Sequence, residues 1–212
     1  MSVLMTILLA AALNMGFYRP AARDGKDPYL HRHTLFTDRL QLSPIIPADA
    51  DRLAVLHADA RVMTLLQHGV LSRAQSDALV ADYAAEWPAL GFGSWTVTER
   101  ASGRLVGLGG LRVHDGDHGV ALRVALMPEV QGRGYGPELG RAAVEFAFTV
   151  AALDRVAAIT RLDNIPGQRL LEKIGMVRER EFVGGTGRLL LLYALFNPNS
   201  GRTQRQGRTS PA

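Results

Sequence analysis

Polar and apolar positions alternate along residues 35–46, and this spacing predicts a β-strand that two prolines, Pro44 and Pro47, bring to an end. The pattern then becomes helical and predicts one helix that begins at Pro47 and ends near Gly69. The apolar residues of its buried face recur mostly at helical spacing: Leu53, Val55, Leu56, Met63, Leu65 and Leu66.

Ser72 and Gln75 have the spacing of a capping box, and they predict a second helix over about residues 74–87. Three segments with the composition of strands follow, separated by short polar turns: residues 94–99, 105–113 and 120–127. Because the connecting loops are short, we expect these three strands to be antiparallel neighbours in one sheet.

The helical period returns at Gly134 and predicts a helix of about four turns. A short apolar segment at residues 155–160 predicts a buried strand, and Pro166 and Gly175 mark the beginning and the end of another helix. Two strands close the pattern: residues 176–183 and 189–196. This order of elements predicts an α+β fold in which helices cover a mixed sheet.

The composition is that of one globular domain, because 47% of the 212 residues are hydrophobic and 21% are charged. The absence of cysteine excludes disulfides, thiolate metal ligands and a cysteine nucleophile. The net charge is only +4, and arginines alternate with acids through the body of the chain. We therefore expect no nucleic-acid partner, since the only basic run, Arg202, Arg205 and Arg208, lacks interleaved aromatic residues.

The two ends of the chain differ from its body. Residues 3–13 are apolar but too short to span a bilayer as a helix, and no Lys or Arg precedes them as in a signal peptide. We expect residues 1–32 to be an apolar, irregular extension, residues 33–197 to form the functional domain and residues 198–212 to be a disordered basic tail. A membrane partner is not expected, and the predicted location is the cytoplasm.

The segment QGRGYGPELG, which starts at Gln131, places three glycines at alternate positions just before a predicted helix. A dinucleotide fingerprint fails because the sixth position falls on Pro137 or Leu139, and the Gly-Lys-Ser/Thr of a Walker loop is absent. Two interpretations remain. The glycines serve either a turn that needs positive φ, or a loop whose outward amides bind a diphosphate at the helix N-terminus, assisted by Arg133.

The spacing Gln131-x-x-Gly134-x-Gly136 matches the Q/R-x-x-G-x-G/A signature of the GNAT N-acyltransferases, which this chain resembles. The resemblance extends over about residues 33–196. Residues 37–42 resemble the opening strand of the branch that includes the ribosomal-protein N-terminal alanine acetyltransferases. Further matches lie at residues 93–97, 105–107, 127–129, 164 and 171–176.

The resemblance implies a mixed, largely antiparallel sheet with helices on both faces and two splayed parallel strands, here residues 120–127 and 155–160. Acetyl-CoA would be the co-substrate between those strands, amides near Ala125 and Leu126 would bind the oxyanion, and no metal is implied. The cofactor-binding residues carried over are Leu126, Gln131, Gly132, Arg133, Gly134, Tyr135, Gly136, Asn164 and Arg169.

Four positions depart from the pattern of the family, and one of them, Pro137, removes an amide donor from the first turn of the helix after the glycines. Ala121 stands where many relatives carry a glutamate base, Leu171 where a tyrosine acid is usual, and Gly167 where a serine is usual. The remaining catalytic candidates are His118, Asp117 and Tyr193, of which His118 has the pKa range suited to a base near neutral pH. A solvated turn is the favoured interpretation of residues 114–119, and their close spacing specifies no metal site.

The resemblance implies an N-acetyltransferase in which an amine attacks acetyl-CoA directly in a ternary complex. A protein or peptide N-terminus is the first acceptor hypothesis, and a small-molecule amine is the alternative. Because the usual acid and base are missing, a catalytically silent acyl-CoA-binding module is the rival from another class. The oligomeric state stays open between a monomer and a homodimer.

Overall fold

The structure is a computed structural model, and it describes residues 32–66, 69–114 and 118–200. The predicted N-terminal extension, apart from residue 32, and residues 201–212 of the predicted tail lie outside the described residues. The strands are β1 (Leu35–Phe36), β2 (Leu40–Pro44), β3 (Ser94–Glu99), β4 (Leu105–Val113), β5 (Val120–Leu126), β6 (Arg155–Arg161), β7 (Val177–Val183) and β8 (Leu189–Phe196). The α-helices that lie wholly within the described residues are α1 (Ala50–His57), α2 (Ala60–Met63), α3 (Arg73–Leu90), α4 (Tyr135–Thr149) and α5 (Ile165–Lys173).

The described strands form a single sheet in the order β1-β2-β3-β4-β5-β6-β8-β7. Every neighbouring pair is antiparallel except β5 and β6, which run parallel. The predicted fold class, an α+β fold around a mixed and largely antiparallel sheet, is therefore confirmed. None of the helices among the described residues is long and apolar enough to cross a membrane.

The strand predicted for residues 35–46 is two strands, because the chain reverses at Thr37. The Thr37 hydroxyl oxygen accepts a hydrogen bond from the Leu40 amide at 2.9 Å, and the Thr37 amide donates to the Leu40 carbonyl oxygen at 2.9 Å. These bonds close a turn that pairs β1 with β2.

The prediction of one helix from Pro47 to Gly69 is wrong. The helix α1 ends at His57, and Asp59 takes an extended conformation with its carboxylate accepting a hydrogen bond from the Arg61 amide at 2.9 Å. This cap starts the separate helix α2. The apolar spacing continued through the break because α1 and α2 bury residues such as Leu53 and Met63 in the same core.

Helices cover both faces of the sheet, as predicted. α4 and α5 pack on one face, where Leu139 and Phe146 of α4 meet Leu122 of β5. α1, α2 and α3 cover part of the opposite face, where Leu56 and Val80 pack against Leu108 of β4, among others. The sheet is thus sandwiched near its centre, where β4 and β5 lie between the two helical layers.

One buried ion pair joins α3 to the sheet. The Arg112 Nε donates to Glu86 Oε1 at 2.5 Å, and the Arg112 guanidinium lies 4.6 Å from the centre of the Tyr83 ring. Only 6% of Glu86 is exposed. Burial raises the pKa of Glu86 from 4.5 to about 7, even though Arg112 acts in the opposite direction.

This shift predicts how stability changes with pH. The unfolded chain releases the Glu86 proton near pH 4.5, whereas the folded chain holds it to about 7. Between these values the folded state binds more protons, so its stability falls as the pH rises. Gln does not titrate, so the free energy of unfolding of Glu86→Gln, measured with urea, should not carry this loss. Relative to the wild type, we expect it to increase by up to about 3 kcal/mol from pH 4 to pH 8. Asp82→Asn on the same helix controls for the loss of one negative charge, and a stability difference that does not vary with pH would contradict the prediction.

Candidate functional site

The parallel strands β5 and β6 are joined at a single register pair, Ala121 with Ala157. Beyond that pair, towards their carboxyl ends, the two strands separate. We call this opening the wedge, and its edges are residues 122–126 of β5 and residues 158–161 of β6. The splayed parallel strands that the resemblance implied are therefore present in the structure.

The open edge of β5 presents the backbone groups of alternate residues. The Met127 amide donates to the Val106 carbonyl of β4 at 2.9 Å, and the ladder between β4 and β5 keeps a constant register. By the alternation of an antiparallel ladder, Ala125 also bonds to β4, whereas Val124 and Leu126 face the wedge. The amide of Leu126 thus lies on the open edge, as expected from the sequence, and that of Ala125 does not.

The loop at residues 131–136, called here the glycine loop, contains three glycines. Two different structural requirements explain why glycine stands at these positions. Gly132 and Gly134 have φ of +76° and +83°, a backbone region that side chains rarely adopt. Gly136, in the first turn of α4, has a close neighbour instead: an added Cβ would lie 2.6 Å from the Leu170 Cδ1 of α5. The glycines therefore serve the turn and also allow α4 and α5 to pack closely.

The same loop contains a run of backbone amides without a protein acceptor among the described residues. Among the described residues, no protein group accepts a hydrogen bond from the amides of residues 132–136, and Gly134 has no side-chain cap. Pro137 contributes no amide to the first turn of α4. Consecutive amides at a helix N-terminus, with left-handed glycines between them, form a concave surface that attracts anions.

Arg39 holds the glycine loop in place, a role that sequence reasoning missed. Its Nη1 donates to the Arg133 carbonyl oxygen at 2.9 Å, and its Nε donates to Glu138 Oε2 at 2.7 Å. Burial alone would raise the pKa of Glu138, but hydrogen bonds from Thr37 and Arg39 outweigh it and lower that pKa. Glu138 thus stays ionised in the first turn of α4, and Arg39 offsets its charge.

Tyr135 fixes the loop from the other side. Its ring is buried, its hydroxyl donates to the Glu99 carboxylate, and the Arg39 guanidinium lies 4.6 Å from the ring centre. The hydrogen bond to Glu99 raises the pKa of Tyr135. The side chain of Tyr135 is thus committed to the protein, whereas no described protein group accepts a hydrogen bond from its backbone amide.

Gln131 and Asn164 both bond within the protein near the ends of the wedge strands. The Gln131 Nε2 donates to the Leu126 carbonyl oxygen at 3.0 Å. Asn164 caps α5 by accepting from the Gly167 amide at 3.1 Å, and its Nδ2 donates to Thr160 Oγ1 at 3.0 Å. An added Cβ on Gly167 would lie 2.5 Å from Asn164 Nδ2, so a serine at position 167 does not fit this arrangement.

The predicted cofactor residues fall around the wedge and the glycine loop. Leu126 ends β5, the glycine loop follows it, and Asn164 lies just after β6. Arg133 and Arg169 are exposed. Arg133 lies in the glycine loop, and Arg169 lies on α5 next to Leu170, the residue that packs against Gly136. The structure thus brings the loop, Leu126 and Asn164 to one edge of the sheet.

The predicted catalytic residues do not gather there. His118 precedes β5 at its amino end, where its carbonyl accepts from Arg155 Nη1 at 3.0 Å and its ring lies 5.0 Å from that of Phe182. Since each strand residue spans about 3.3 Å, the start of β5 at Val120 lies roughly 13 Å from Val124, and His118 precedes that start, beyond the closed end of the wedge. Asp117 lies outside the described residues.

Tyr193 lies on β8, one strand away from the wedge. It is 1% exposed, faces the core below α5, and its hydroxyl donates to Glu172 Oε1 at 3.2 Å. Burial, together with that hydrogen bond, raises the pKa of Tyr193. The geometry therefore favours a structural role for this tyrosine over the predicted catalytic one.

Two concave regions lie near the wedge. A cavity of about 30 Å³ lies on the face covered by α1–α3, lined by Leu56, His57, Met63, Leu66, Tyr83, Leu108, Arg123, Val124 and Ala125. An open groove of about 470 Å³ lies at the carboxyl end of β6, lined by Arg161, Leu162, Asp163, Arg188 and Leu189. Arg161 also donates from Nη1 to the Thr64 carbonyl at 2.9 Å, which links the end of β6 to the segment after α2.

Among the described residues, no group of three or more His, Asp or Glu side chains is placed to hold a metal ion.

Comparison with known proteins places this geometry in a family. The model of the acetyltransferase (GNAT) domain matches residues 39–177. The chain is 30% identical over 129 residues to the uncharacterized N-acetyltransferase YnaD of Bacillus subtilis (strain 168), which covers 59% of this chain and 71% of that protein.

Solved structures share the fold. A GNAT-family acetyltransferase from Bacillus anthracis has a TM-score of 0.68 at 23% identity, covering 77% of this chain and 98% of its own. The ribosomal-protein-S5-alanine acetyltransferase from Vibrio fischeri has a TM-score of 0.67 at 15% identity, covering 78% and 97%. The spermidine N-acetyltransferase from Vibrio cholerae, in complex with CoA and spermine, has a TM-score of 0.64 at 18% identity, covering 76% and 97%. At these identities the likeness shows the fold alone.

The contacts of Arg39 predict a coupling that urea unfolding can measure. Arg39→Met removes the partner of a carboxylate whose side chain is only 16% exposed, and it frees the Arg133 carbonyl. We expect a loss of about 1–2 kcal/mol, part of which the double variant Arg39→Met/Glu138→Gln recovers. Losses that simply add in the double variant would show that the pair is not coupled. Arg100→Met is the matched control, because Arg100 lies on the same surface and donates to the carbonyl oxygens of Thr37 and Asp38.

Proposed function

The chain belongs to the acetyltransferase (GNAT) family, and on that premise we propose that it is an N-acetyltransferase that moves an acetyl group from acetyl-CoA to a primary amine. The observation that carries the proposal is the run of outward amides at residues 132–136, directly beside the open edge of β5. Together they offer one site for a diphosphate and another for an extended chain.

The diphosphate of acetyl-CoA is assigned to the glycine loop. The amides of residues 132–136 supply hydrogen bonds, the N-terminus of α4 supplies positive potential, and the exposed Arg133 guanidinium supplies a full charge. Glu138 would repel the diphosphate from the first turn of α4, but Arg39 pairs with it at 2.6 Å. Arg39 therefore supports binding in two ways, by holding the loop and by offsetting this negative charge.

The pantetheine arm is assigned to the wedge. Its two amides can pair with the open edge of β5 as an added strand would, because Val124 and Leu126 direct their backbone groups there. An amide on this edge also suits the oxyanion that develops when the thioester carbonyl is attacked. Asn164 keeps hydrogen-bonding capacity beyond its two bonds inside the protein, so it can also contact the arm.

The chemistry then requires a neutral amine beside the thioester. The amine nitrogen forms a bond to the carbonyl carbon, the carbon–sulfur bond breaks, and the sulfur leaves with the electron pair as the CoA thiolate. Holding the two reactants in line supplies the largest part of the rate, up to roughly 7–11 kcal/mol for well-oriented reactions. At the positions of the usual acid and base, Leu171 and Ala121 are buried and carry no titratable group.

For the acceptor we favour a peptide or protein N-terminus over a polyamine. The groove at the end of β6 contains Arg161 and Arg188 but only one acid, Asp163, whose pKa is lowered by its hydrogen bond with Arg161. A surplus of positive charge repels a polycation such as spermidine, whereas a peptide brings one amine and a row of carbonyl acceptors. The acceptor named for the Vibrio cholerae structure, spermidine, is therefore the second candidate here.

Replacing one glycine of the loop tests the cofactor site. Gly134→Glu places a carboxylate against the bound diphosphate and strains a residue with φ of +83°. We expect calorimetry to show at least about a 100-fold weaker affinity for acetyl-CoA, equivalent to about 3 kcal/mol.

Gly91→Glu is the matched control, because Gly91 has φ of +73° and open space around it but ends α3 far from the glycine loop. It imposes the same backbone strain and the same added charge. Unchanged affinity in Gly134→Glu, or an equal loss in Gly91→Glu, would place the cofactor elsewhere.

A panel of acceptors tests the reaction. Purified protein with acetyl-CoA is assayed for CoA thiol release and for acetylated product by mass spectrometry. The panel comprises unblocked peptides, spermidine, spermine and single amino acids. We expect peptides to exceed spermidine by about 10-fold or more in kcat/KM, and Arg188→Glu to reduce that ratio by reversing a charge in the groove.

Preference for spermidine would replace the peptide hypothesis with the small-amine one. Binding of acetyl-CoA without any acetylated product would instead favour the catalytically silent acyl-CoA-binding module. Absence of acetyl-CoA binding would reject both.

A further inference from the structure

Among the described residues, one histidine lines the cavity behind the wedge. His57 is the last residue of α1, is 1% exposed, and lines the cavity together with Val124 and Ala125. Its Nδ1 shares a hydrogen bond of 2.8 Å with the hydroxyl of Ser76, a residue of α3 that is also 1% exposed. The imidazole is thus fixed in orientation by a second buried side chain.

The cavity and the wedge share a wall. Residues 123–125 of β5 line the cavity, and the same residues follow directly after the closed end of the wedge at Ala121. A thioester held along the open edge of β5 therefore has its carbonyl carbon beside this cavity. About 30 Å³ is room for one or two water molecules, enough to link a nitrogen at the edge with the imidazole.

Few other groups at the cavity titrate. Among the described lining residues these are Tyr83 of α3 and Arg123 of β5, while α2 and β4 contribute only apolar side chains. Burial raises the pKa of Tyr83, so its phenol keeps its proton at neutral pH. Arg123 is permanently charged, and the pair Glu86–Arg112 lies beyond Tyr83. In contrast to these groups, the side chain of His57 is an imidazole, the type of group that both accepts and releases a proton near neutral pH.

We propose that His57 is the general base that removes the proton from the acceptor ammonium, and that Ser76 is the positioning residue that fixes its tautomer. This inference rests on the proposed acetyl transfer. Nδ1 donates its hydrogen to Ser76 Oγ, so that Nε2 holds the lone pair that receives the proton, directly or through one water. His57 thereby takes over the task that the glutamate at the position of Ala121 has in many relatives.

The protons balance as follows. The ammonium gives its first proton to His57, and the neutral amine attacks the thioester carbonyl carbon. When the tetrahedral intermediate collapses, the carbon–sulfur bond breaks and the nitrogen loses its second proton, which neutralises the CoA thiolate. His57 then returns the first proton to solvent, and the sum is one amide, one CoA thiol and one released proton.

The dependence of kcat/KM on pH tests this role. His57→Asn retains a polar group near Ser76 but removes the distal nitrogen. With the best acceptor of the panel we expect a loss of about 100-fold at pH 7, within the usual contribution of general-base catalysis. The loss should shrink as the pH approaches the pKa of the free amine, because the neutral amine is then supplied by solution. Thermal melting and the affinity for acetyl-CoA should match those of the wild type.

Two further variants separate the alternatives. Ser76→Ala should displace the acidic limb of the pH profile while leaving the KM for acetyl-CoA unchanged, and it serves as the test if His57→Asn does not fold. An unmoved limb in Ser76→Ala, or a loss in His57→Asn that is equal at every pH, would overturn the inference. A displaced limb in His118→Asn instead would overturn it in favour of the histidine that precedes β5. If the wild type binds acetyl-CoA but acetylates no acceptor, the proposed function itself fails.

Discussion

The central constraint of this molecule is that two adjacent parallel strands pair at only one position. From that single pair, Ala121 with Ala157, to their carboxyl ends, β5 and β6 are not hydrogen-bonded to each other. Backbone donors and acceptors that would normally complete a sheet are left on an edge inside the molecule, between two helical layers. Such groups need a partner, and an extended ligand with its own amides satisfies them without rearrangement of the sheet.

Contacts at the rim keep this edge open and the glycine loop rigid. Gln131 bonds to the carbonyl of Leu126, Arg161 bonds to the carbonyl of Thr64, and Arg39 bonds to the carbonyl of Arg133. Each uses a side chain to satisfy a backbone oxygen near the opening, while no described protein group accepts from the amides of residues 132–136. Donors that are already aimed before a ligand arrives stabilise its charge without the cost of reorganisation.

The positions where the family usually has titratable groups are apolar here, which changes how protons can move. Ala121 is buried in a small apolar cluster with Ala157 and Leu192, and Leu171 is buried in the core beneath α5, so neither position carries a group that can move a proton. Titratable and charged groups lie instead around the cavity covered by α1–α3, which His57, Tyr83 and Arg123 line and where Ser76 bonds to His57. The proton route that we propose therefore lies on the face covered by α1–α3, and the packing that anchors α4 and α5 lies on the opposite face.

Local signals in the sequence determined most of the elements. Ser72 caps α3, Asn164 caps α5 and the glycines begin α4, because each of these is a bond or a backbone angle between near neighbours. The break between α1 and α2 escaped the periodicity, since both helices bury the same face and only the Asp59 cap separates them.

Tertiary structure alone decided which distant residues meet. Arg39 and Glu138 are 99 positions apart, and His57 and Ser76 are 19 apart, so no local spacing could pair them. The same limit applies to His118: the sequence shows that it precedes β5, but only the direction of β5 and its pairing with β6 place it beyond the closed end of the wedge. Hydrogen-bonding preferences along the chain fix where helices and strands begin, whereas sheet register and strand direction fix which side chains share a site.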